Sequence, residues 1–316
     1  MKEIAKKIQN AENIVITTHI SEDADAIGST FALSTALRNI GKSVTLILSD
    51  NPEDRLQFLK CDYVVFEENM TPPQDLLICL DSADVKRLDT RAVFLEKSES
   101  ISIDHHYTNT NYADINYVDG DASSTGELVF MLLKEMKLPI TKEIAEFLYI
   151  SISGDTGSFK YSCTSPKTMR IVADLMETGI DHAELSRRLH ETEKIETVHL
   201  KGHIMSEVKS YYDGKLRMVI LDKDIFDTFG VDEKNVGDVV NIPRMIEGTE
   251  IAVSVRETTE KIKISFRSNG TYNVSDIAAC FGGGGHKMAA GAAAKNKTLK
   301  EVEEKIVEAV GEYIND

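Results

Sequence analysis

Short apolar runs alternate with segments of helical periodicity through the first half of the chain, and this alternation restricts the fold more than any other feature. The runs are rich in Val and Ile, and each has the length of a strand and not of a helix. They are NIVITTH at 13–19, SVTLIL at 43–48, YVVF at 63–66, LLICLD at 76–81 and SISID at 100–104. Strands that alternate with helices form a largely parallel sheet, so we predict an α/β fold with helices on both faces of the sheet.

The helical segments begin at residues that commonly cap helices. Helical spacing runs through residues 23–40 and ends before a glycine, and three later segments each open on Ser or Thr, at 123–136, 141–153 and 165–179. A hydroxyl at that position satisfies a free backbone N–H of the first helical turn. These segments therefore supply the helices that cover the predicted sheet.

A chain of 316 residues is long for one domain, and the pattern changes near residue 182. We predict a first domain at 1–185, a polar helical linker at 186–208 and a smaller α/β domain at 209–316. In the last of these, alternating strands at 216–222, 250–258 and 261–268 favour an antiparallel or mixed sheet. The segments at 274–281 and 299–314 are its predicted helices.

The charge balance limits the class of partner. The chain has 36 Lys and Arg against 52 Asp and Glu residues, a formal net charge of −16. Proteins that coat long nucleic acid depend on a basic surface, so we do not expect that function. A small phosphorylated ligand is compatible with this charge if bound divalent cations make the site locally positive.

No segment has the pattern of a membrane anchor. The first ten residues have the pattern of a short amphipathic helix, and no apolar run approaches the roughly 20 residues that cross a bilayer. We therefore expect a cytoplasmic protein with no membrane partner. The four cysteines are scattered without a CxxC pair, so neither disulfides nor a zinc finger is expected, and Cys79 should be a buried, inert thiol.

Acidic and imidazole side chains follow the ends of several predicted elements. They are His19, Asp23, Asp25, Asp81, Asp104, His105, His106 and Asp155. Taken singly, such an Asp is commonly a helix N-cap and such a His an ordinary surface or core residue. However, ligands of α/β sheets bind at the carboxyl ends of the strands, where these groups should meet. Several carboxylates at one edge repel one another unless protons or cations neutralise them, and two divalent ions would offset four aspartates.

The ligand chemistry indicates which ions to expect. Oxygen-rich sites with some imidazole and no thiolate suit Mn²⁺ or Mg²⁺, with Fe²⁺ or Co²⁺ as alternatives. Two such ions about 3.5–4 Å apart are a common arrangement for displacement at phosphorus.

Four sequence motifs now identify a resemblance. HISEDADAIGS at 19–29, LDSADVKRL at 80–88, DHH at 104–106 and SGDTGSF at 153–159 resemble the four motifs of the DHH phosphoesterase superfamily. ISFRSNG at 264–270 with VSDIAACFGGGGHKMAAGA at 274–292 resembles the DHHA1 domain that follows in one branch. The resemblance extends over nearly the whole chain and is strongest to the NrnA-type bifunctional oligoribonucleases and 3′-phosphoadenosine 5′-phosphate (pAp) phosphatases.

The resemblance implies a role for each motif residue. His19 and Asp23 would bind one ion, Asp25, His105 and Asp155 would bind the other, and Asp81 would bridge the two. The implied ions are divalent, with Mn²⁺ expected and Mg²⁺ or Co²⁺ as alternatives. The implied catalytic residues beside them are His106 at the substrate phosphate, Asp104 orienting an imidazole, and Arg87 and Asn109 near the metals.

One position departs from the family pattern. The family usually has proline immediately before the first Asp of its first motif, whereas this chain has Glu22. A proline would stiffen the turn. We therefore expect Glu22 to affect the local geometry at the first ion, while the ligands themselves are intact.

The second domain is implied to bind the substrate. A run of glycines is often only a flexible loop, but glycines also let backbone N–H groups approach an anion closely. Arg267 and His286 can add charge-assisted hydrogen bonds to a phosphate. The implied substrate-binding residues are Arg267, Ser268, Gly283, Gly284, Gly285 and His286. This domain would close over the metal site and bind the far phosphate or base.

The function implied is that of a two-metal phosphoesterase, an enzyme that hydrolyses ester bonds. It would cleave short 5′-phosphorylated oligoribonucleotides, from dimers to pentamers, to mononucleotides, and pAp to AMP plus phosphate. Two alternatives stay open: a phosphodiesterase for linear dinucleotides (pApA or pGpG) in cyclic-dinucleotide turnover, and a catalytically silent nucleotide-binding sensor. Relatives of this family are often dimers, so the resemblance also implies a homodimer as one expectation for the oligomeric state.

Overall fold

The computed structural model describes residues 1–232, 236–237 and 239–314. Contacts between residues divide the chain into two compact units, Met1–Thr192 and Glu193–Asp316. Each unit contains one six-stranded sheet.

The N-terminal unit follows the predicted alternation of strands and helices. Its strands are β1 (Asn13–Thr17), β2 (Ser43–Leu48), β3 (Val64–Val65), β4 (Leu76–Leu80), β5 (Glu99–Asp104) and β6 (Ile115–Val118). Its α-helices are α1 (Lys2–Asn10), α2 (Ala24–Asn39), α3 (Val85–Leu88), α4 (Thr125–Glu135), α5 (Lys142–Asp155), α6 (Pro166–Glu177) and α7 (His182–His190). Short 3-10 helices lie at Asp54–Leu56 and Asp89–Glu96.

The N-terminal sheet is parallel throughout, with strand order β3-β2-β1-β4-β5-β6, which confirms the predicted α/β class. β1 and β4 are neighbours in the middle of the sheet, and β5 lies next to β4. Because all strands run the same way, the residues that follow these three strands meet at one edge. β6 was not predicted, since its side chains are mostly half-buried and form no apolar run.

Both faces of this sheet are covered, as a buried parallel sheet requires. Ile14 and Ile16 of β1 belong to the large core that includes residues of α1, α2, α4 and α5. Val15 points to the opposite face, where Leu88 and Phe94 belong to a smaller core. The alternation along one strand thus separates a face covered by long helices from one covered by α3 and a 3-10 helix.

The N-caps predicted at Thr141 and Ser165 are confirmed, and the N-cap of α4 is the second serine of its predicted segment, Ser124, and not the first. The side chain of Ser124 accepts a hydrogen bond from a backbone N–H of α4, and Thr141 and Ser165 do the same for α5 and α6. Ser165 and Thr168 form a full capping box. These caps fix where each helix begins, and the start of α4 is one wall of the site described below.

The C-terminal unit contains a mixed sheet and five α-helices among its described residues. The strands are β7 (Lys209–Tyr211), β8 (Leu216–Leu221), β9 (Ile251–Glu257), β10 (Ile262–Ser268), β11 (Gly284–His286) and β12 (Ala289–Ala294). The helices are α8 (Ile195–Ser206), α9 (Ile225–Phe229), α10 (Asn241–Arg244), α11 (Val274–Ala279) and α12 (Leu299–Ile314).

The order of the second sheet is β11-β12-β10-β9-β8-β7. β8 and β9 pair in parallel, while the other pairs are antiparallel. The parallel pair arises because the chain between β8 and β9 includes α9 and α10 and returns to the same end of the sheet. Of the two predicted alternatives, an antiparallel or a mixed sheet, the mixed sheet is confirmed.

The segment predicted as a linker, 186–208, contains the end of α7 and all of α8. Leu185 and Leu189 of α7 are buried in the core of the N-terminal unit. Leu200 and Ile204 of α8 belong to a core within the C-terminal unit. The unit boundary lies between these helices, after Thr192.

Two sequence expectations concern cysteines and membranes. All four cysteines are free, and burial raises the pKa of the Cys79 thiol to about 12, which keeps it in the unreactive form. Within the part of the chain that the structure describes, no helix has both the length and the apolar character needed to span a bilayer.

Gly28 allows α2 and α5 to pack closely. A Cβ at Gly28 would lie 2.5 Å from the carbonyl oxygen of Phe147 and 2.7 Å from Cβ of Ser151. We expect Gly28→Ala to lower the free energy of unfolding by about 1–3 kcal/mol, because the backbone of α5 has to move. Urea denaturation followed by circular dichroism measures this change.

Gly202 in α8 offers the matched control. A Cβ there would meet no atom within 4 Å. Gly202→Ala should therefore leave stability unchanged or raise it by about 0.5–1 kcal/mol, through helix propensity alone. Equal stability of Gly28→Ala and the unmodified protein would contradict the packing argument.

Candidate metal centre

Acidic and imidazole side chains from four separate motifs meet at the carboxyl edge of the N-terminal sheet. They come from the segments after β1, β4 and β5 and from the last residue of α5. The clustered residues are His19, Asp23, Asp25, Asp81, His105, His106 and Asp155. Their potential ligand atoms fall into three overlapping groups, and within each group these atoms lie within 4.8 Å of one another.

His19 faces two carboxylates through one ring nitrogen. Its Nε2 lies 3.7 Å from Oδ2 of Asp23 and 3.5 Å from Oδ2 of Asp81. Its Nδ1 lies 2.7 Å from the carbonyl oxygen of Ile20, which accepts a hydrogen bond when the proton is on Nδ1. Burial disfavours the charged ring, yet the two carboxylates outweigh this and raise the pKa of His19 to about 10.

Asp23 both begins α2 and faces His19. Its Oδ1 accepts hydrogen bonds from the backbone N–H groups of Asp25 and Ala26, both at 3.0 Å, so Asp23 is the N-cap. Burial opposes the charged carboxylate, but His19 and these N–H groups hold the pKa of Asp23 well below its usual range. The cap fixes one oxygen and leaves Oδ2 toward the imidazole. An N-cap function and a ligand function are therefore compatible in this residue.

Asp81 lies between the two sides of the cluster. Its Oδ2 lies 3.5 Å from Nε2 of His19, and its Oδ1 lies 3.6 Å from Nε2 of His105. The residue adopts a left-handed backbone conformation, with φ of 54°, directly after β4. A non-glycine residue in that conformation is strained, and such strain is concentrated at functional sites. Oδ1 also accepts a hydrogen bond from the hydroxyl of Thr125 at 3.0 Å.

Asp25 is fully buried and is held by the beginning of α4. Its Oδ2 accepts from the Thr125 amide at 2.7 Å, and its Oδ1 accepts from the Gly126 amide at 3.0 Å and from the Ser151 hydroxyl. Burial, reinforced by the nearby charges of Asp81 and Asp155, raises the pKa of Asp25 well above its usual value. The helix N-terminus offsets part of that cost because its N–H groups favour negative charge.

His105 and Asp155 complete this side of the cluster. Nε2 of His105 lies 3.1 Å from Oδ2 of Asp155 and 3.7 Å from Oδ2 of Asp25. Burial would lower the pKa of His105, but the Asp155, Asp25 and Asp81 carboxylates raise it to about 11. Burial raises the pKa of Asp155 to about 6, although the hydrogen bond to His105 opposes that change.

Asp104 orients His106. Its Oδ1 lies 2.7 Å from Nδ1 of His106, and its Oδ2 accepts a hydrogen bond from the side-chain amide of Asn109 at 2.7 Å. Burial disfavours the charged Asp104, but its hydrogen bonds to His106 and Asn109 lower its pKa. Asp104 is fully buried, whereas the side chain of His106 is 41% exposed. The arrangement fixes the Nδ1 side of the ring and leaves His106 accessible to solvent.

The arrangement fits two divalent cations. Two ligands that each lie about 2.1 Å from one ion, at right angles, are about 3.0 Å apart, and a wider angle increases the separation. The facing Nε2 and Oδ2 atoms are 3.1–3.7 Å apart, in the two groups His19–Asp23–Asp81 and Asp25–His105–Asp155. Cations would also remove the repulsion that raises the pKa of Asp25. Imidazole and carboxylate ligands without thiolate suit Mn²⁺, Mg²⁺ or Co²⁺.

Arg87 lies beside the cluster. Its Nη2 is 2.8 Å from Nδ1 of His19, the ring nitrogen that does not face the carboxylates, and the residue is exposed. A guanidinium in that position can neutralise negative charge on a bound anion.

The predicted residues of the C-terminal unit have varied environments. His286 is exposed on β11, an edge strand, and Nη1 of Arg267 donates to the carbonyl of Phe266 at 3.1 Å. Ser268 is buried, and its Oγ accepts a hydrogen bond from the Gly270 amide at 3.1 Å. The side chain of Ser268 is therefore engaged within its own unit.

The glycine run also has a packing function. A Cβ at Gly285 would lie 2.6 Å from the carbonyl oxygen of Ala289, and one at Gly283 would collide with Gly291. Gly284 meets no such obstacle. Two of the three predicted glycines, Gly283 and Gly285, are thus required for the close approach of residues 283–285 to β12.

Several residues of the site were missed by sequence analysis. Thr125, Gly126 and Ser151 hold Asp25 or Asp81, yet none belongs to a motif that we singled out for chemistry. The helix start at Ser124 was a usable signal, because a capped helix N-terminus is a natural partner for a carboxylate. Ser151 gives no such signal, since it lies within an apolar helical stretch.

Two protein-family models and several known proteins are similar to this chain. The model of the DHH family, N-terminal domain, matches residues 13–152, and the model of the DHHA1 domain matches residues 218–316. The chain is 33% identical to the bifunctional oligoribonuclease and PAP phosphatase NrnA of Thermus thermophilus, over 99% of this chain and 94% of the relative. It is 31% identical to the protein of the same name from Bacillus subtilis, over 92% of each.

A solved structure is similar over both units. An exopolyphosphatase-related protein from Bacteroides fragilis superposes with a TM-score of 0.91 at 31% identity, covering 98% of this chain and 95% of that protein.

Metal binding can be tested without any substrate. We expect the chelator-treated protein to bind two Mn²⁺ ions per chain by calorimetric titration and to gain about 2.7 kcal/mol of stability per bound ion at free Mn²⁺ about 100 times the Kd. Asp155→Asn should retain one ion, because it removes a ligand from one group only. Asp174→Asn, an exposed residue of α6, is the control and should bind two. Two ions retained by Asp155→Asn would contradict the assignment.

Proposed function

The chain belongs to the DHH phosphoesterase family, and from that premise we propose that it is a metal-dependent hydrolase of short 5′-phosphorylated oligoribonucleotides. Dimers to pentamers would be cleaved to mononucleotides, and pAp would be hydrolysed to AMP and phosphate. The observation that carries the proposal is the pair of ligand groups on either side of Asp81, together with similarity to the NrnA proteins along both domains.

We assign the metal ligands to two ions, one for each of the two ligand groups described above. His19 and Asp23 would bind the first ion, and Asp25, His105 and Asp155 the second. Asp81 would contribute one oxygen to each, which its contacts with the two imidazoles support. When bound, such ions lower the pKa of an attacking water and stabilise the charge that develops on the phosphoryl oxygens.

The residues of the chain then hold and protonate the substrate. We assign to His106 the donation of a proton to the departing 3′-oxygen, because Asp104 fixes its Nδ1 and its side chain is accessible. Asn109 holds Asp104 from the other side. Arg87 would bind a phosphoryl oxygen as negative charge accumulates there. No serine or cysteine nucleophile is needed, since water attacks phosphorus directly.

We propose that the predicted domain at 1–185 is catalytic and that the one at 209–316 binds the rest of the substrate. The predicted linker at 186–208 is divided between the two units at Thr192, so its helices belong to the units that they connect. Arg267, His286, Gly283, Gly284 and Gly285 are the proposed phosphate-binding residues. The proposed backbone donors are the N–H groups of Gly284 and Gly285, because the Gly283 N–H already donates to the carbonyl oxygen of Ala278 at 3.0 Å. The exposure of His286 and of Gly284 on an edge strand supports this assignment, because an edge strand has unpaired backbone groups. Ser268 would act by supporting the turn after β10.

Three finer properties belong to the same proposal. Mn²⁺ is the ion we propose, because imidazole nitrogen among carboxylate oxygens suits it better than Mg²⁺. We propose the cytoplasm as the location, since short oligoribonucleotides arise where RNA is degraded. A homodimer is the proposed oligomeric state, on the family resemblance alone.

Product release is the direct test. We expect Mn²⁺-dependent release of mononucleotides from 5′-phosphorylated RNA dimers to hexamers, with rates that fall as length increases, and release of phosphate from pAp. Chelator should abolish both. Asp81→Asn should lose at least about 10³-fold in turnover, since it removes the shared ligand, while Asp174→Asn should keep full activity.

The same panel separates the alternatives. Turnover confined to dimers would favour the linear-dinucleotide phosphodiesterase. If dimers bind but no substrate turns over with Mn²⁺, Mg²⁺ or Co²⁺, the protein is a sensor and the proposed function is wrong.

The phosphate-binding assignment has its own test. We expect His286→Ala and Arg267→Gln each to raise KM about tenfold for a dinucleotide with a 5′-phosphate and to leave KM unchanged for the same dinucleotide without it. Steady-state kinetics on the two substrates measure the ratio. Lys300→Gln, an exposed change on α12, is the charge-matched control. Equal effects on both substrates would show that the two residues do not bind the 5′-phosphate.

A further inference from the structure

Glu22 is an unexpected buried charge beside the proposed metal ligands. It immediately precedes Asp23 and occupies the position of the proline that is usual in the family. Its side chain is only 3% exposed, and that of its partner Arg91 is only 1% exposed. Charged side chains are seldom buried to this degree unless they are paired and hydrogen-bonded.

Both oxygens of Glu22 have partners. Nη1 of Arg91 lies 3.2 Å from Oε1, which also accepts a hydrogen bond from the Ser49 amide. The hydroxyl of Ser49 donates to Oε2 at 2.8 Å. Ser49 directly follows β2, so these contacts join the segment before α2 to the end of a neighbouring strand.

Arg91 extends the connection to the segment after β4. Its Nε donates to the carbonyl oxygen of Leu88 at 3.3 Å. Arg87, the residue before Leu88, lies against His19. The carbonyl oxygen of Arg87 accepts a hydrogen bond from the Ile20 amide at 2.8 Å. The turn between His19 and Asp23 is thus tied at two points to α3 and the 3-10 helix that follows.

The turn needs such support. Ser21 has φ of 58°, a left-handed conformation that non-glycine residues rarely adopt. No proline restricts the adjacent backbone. His19 and Asp23 converge on a common position only when the residues between them keep this shape, because the two ligands are at opposite ends of the turn.

We propose that the buried Glu22–Arg91 pair positions His19 and Asp23 and thereby sets the affinity of the first divalent ion. The pair takes the place of a rigid proline by anchoring the turn through side-chain contacts. Glu22 and Arg91 are positioning residues, since they contact each other, Ser49 and Leu88 and neither belongs to a ligand group. The inference rests on the assigned metal ligands and is independent of which phosphoester is cleaved.

Calorimetric titration of the chelator-treated full chain with Mn²⁺ tests the proposal. The unmodified protein should bind two ions. In Glu22→Gln, one ion should bind about tenfold more weakly, as losses of residues that orient metal ligands generally do, and the other should be unchanged. Turnover of this variant should return at higher Mn²⁺ with an unchanged KM for the dinucleotide.

A second variant separates positioning from stability. Glu22→Leu/Arg91→Met replaces the pair with apolar side chains, which leaves no buried charge without a partner. We expect this variant to melt within a few degrees of the unmodified protein. It should still bind one of the two Mn²⁺ ions about tenfold more weakly, because Leu cannot form a hydrogen bond with Ser49. This variant also carries the test if Glu22→Gln does not fold. Unmodified affinity for both ions in the double variant would overturn the proposal.

Ile8→Ala provides the control for general destabilisation. Ile8 is fully buried in α1 and belongs to the same large core as residues of α2. The control should melt at a lower temperature and still bind both ions with unmodified affinity. A selective loss of one ion in Ile8→Ala as well would mean that any destabilisation weakens the site, and the proposal would fail.

Discussion

Mutual repulsion among buried carboxylates is the constraint on which the rest of the N-terminal unit depends. Asp25, Asp81 and Asp104 are each at most 2% exposed and converge on one edge of a parallel sheet. Taking such charges out of water costs far more than ordinary packing returns, unless hydrogen bonds and counter-charges compensate. Backbone N–H groups and imidazoles surround these three side chains and compensate for the loss of water. The ligand geometry also fits divalent ions, which would offset the remaining negative charge.

The fold supplies the compensation through its helix and strand ends. A parallel sheet gathers the segments after β1, β4 and β5 at one edge, and the N-terminus of α4 directs two N–H groups at Asp25. Close packing makes this possible, since Gly28 lets α5 approach α2 and so brings Ser151 to the same carboxylate. Loss of the contacts between α2 and α5 would therefore also move Ser151 away from Asp25.

The sequence predicted the local part of this arrangement and missed the part that depends on partners. Alternating apolar runs and capped helices predicted the parallel sheet, because both signals lie within a few residues of the chain. The parallel pairing of β8 with β9 depends on the path between them, and a pattern of alternation is the same for either direction. The bond from Ser151 to Asp25 joins residues far apart in sequence, and the Glu22–Arg91 pair does the same, so neither leaves a local signal.

Glu22 shows why a substitution within a motif need not weaken the site. Taken alone, the replacement of a usual proline by glutamate removes backbone rigidity next to a ligand. The structure replaces that rigidity with contacts that cross three segments of the chain. A proline acts through the chain itself, whereas a buried ion pair acts only when both partners and their hydrogen bonds are present. The first ion would therefore depend on residues 49 and 91, which a motif at 19–29 does not include.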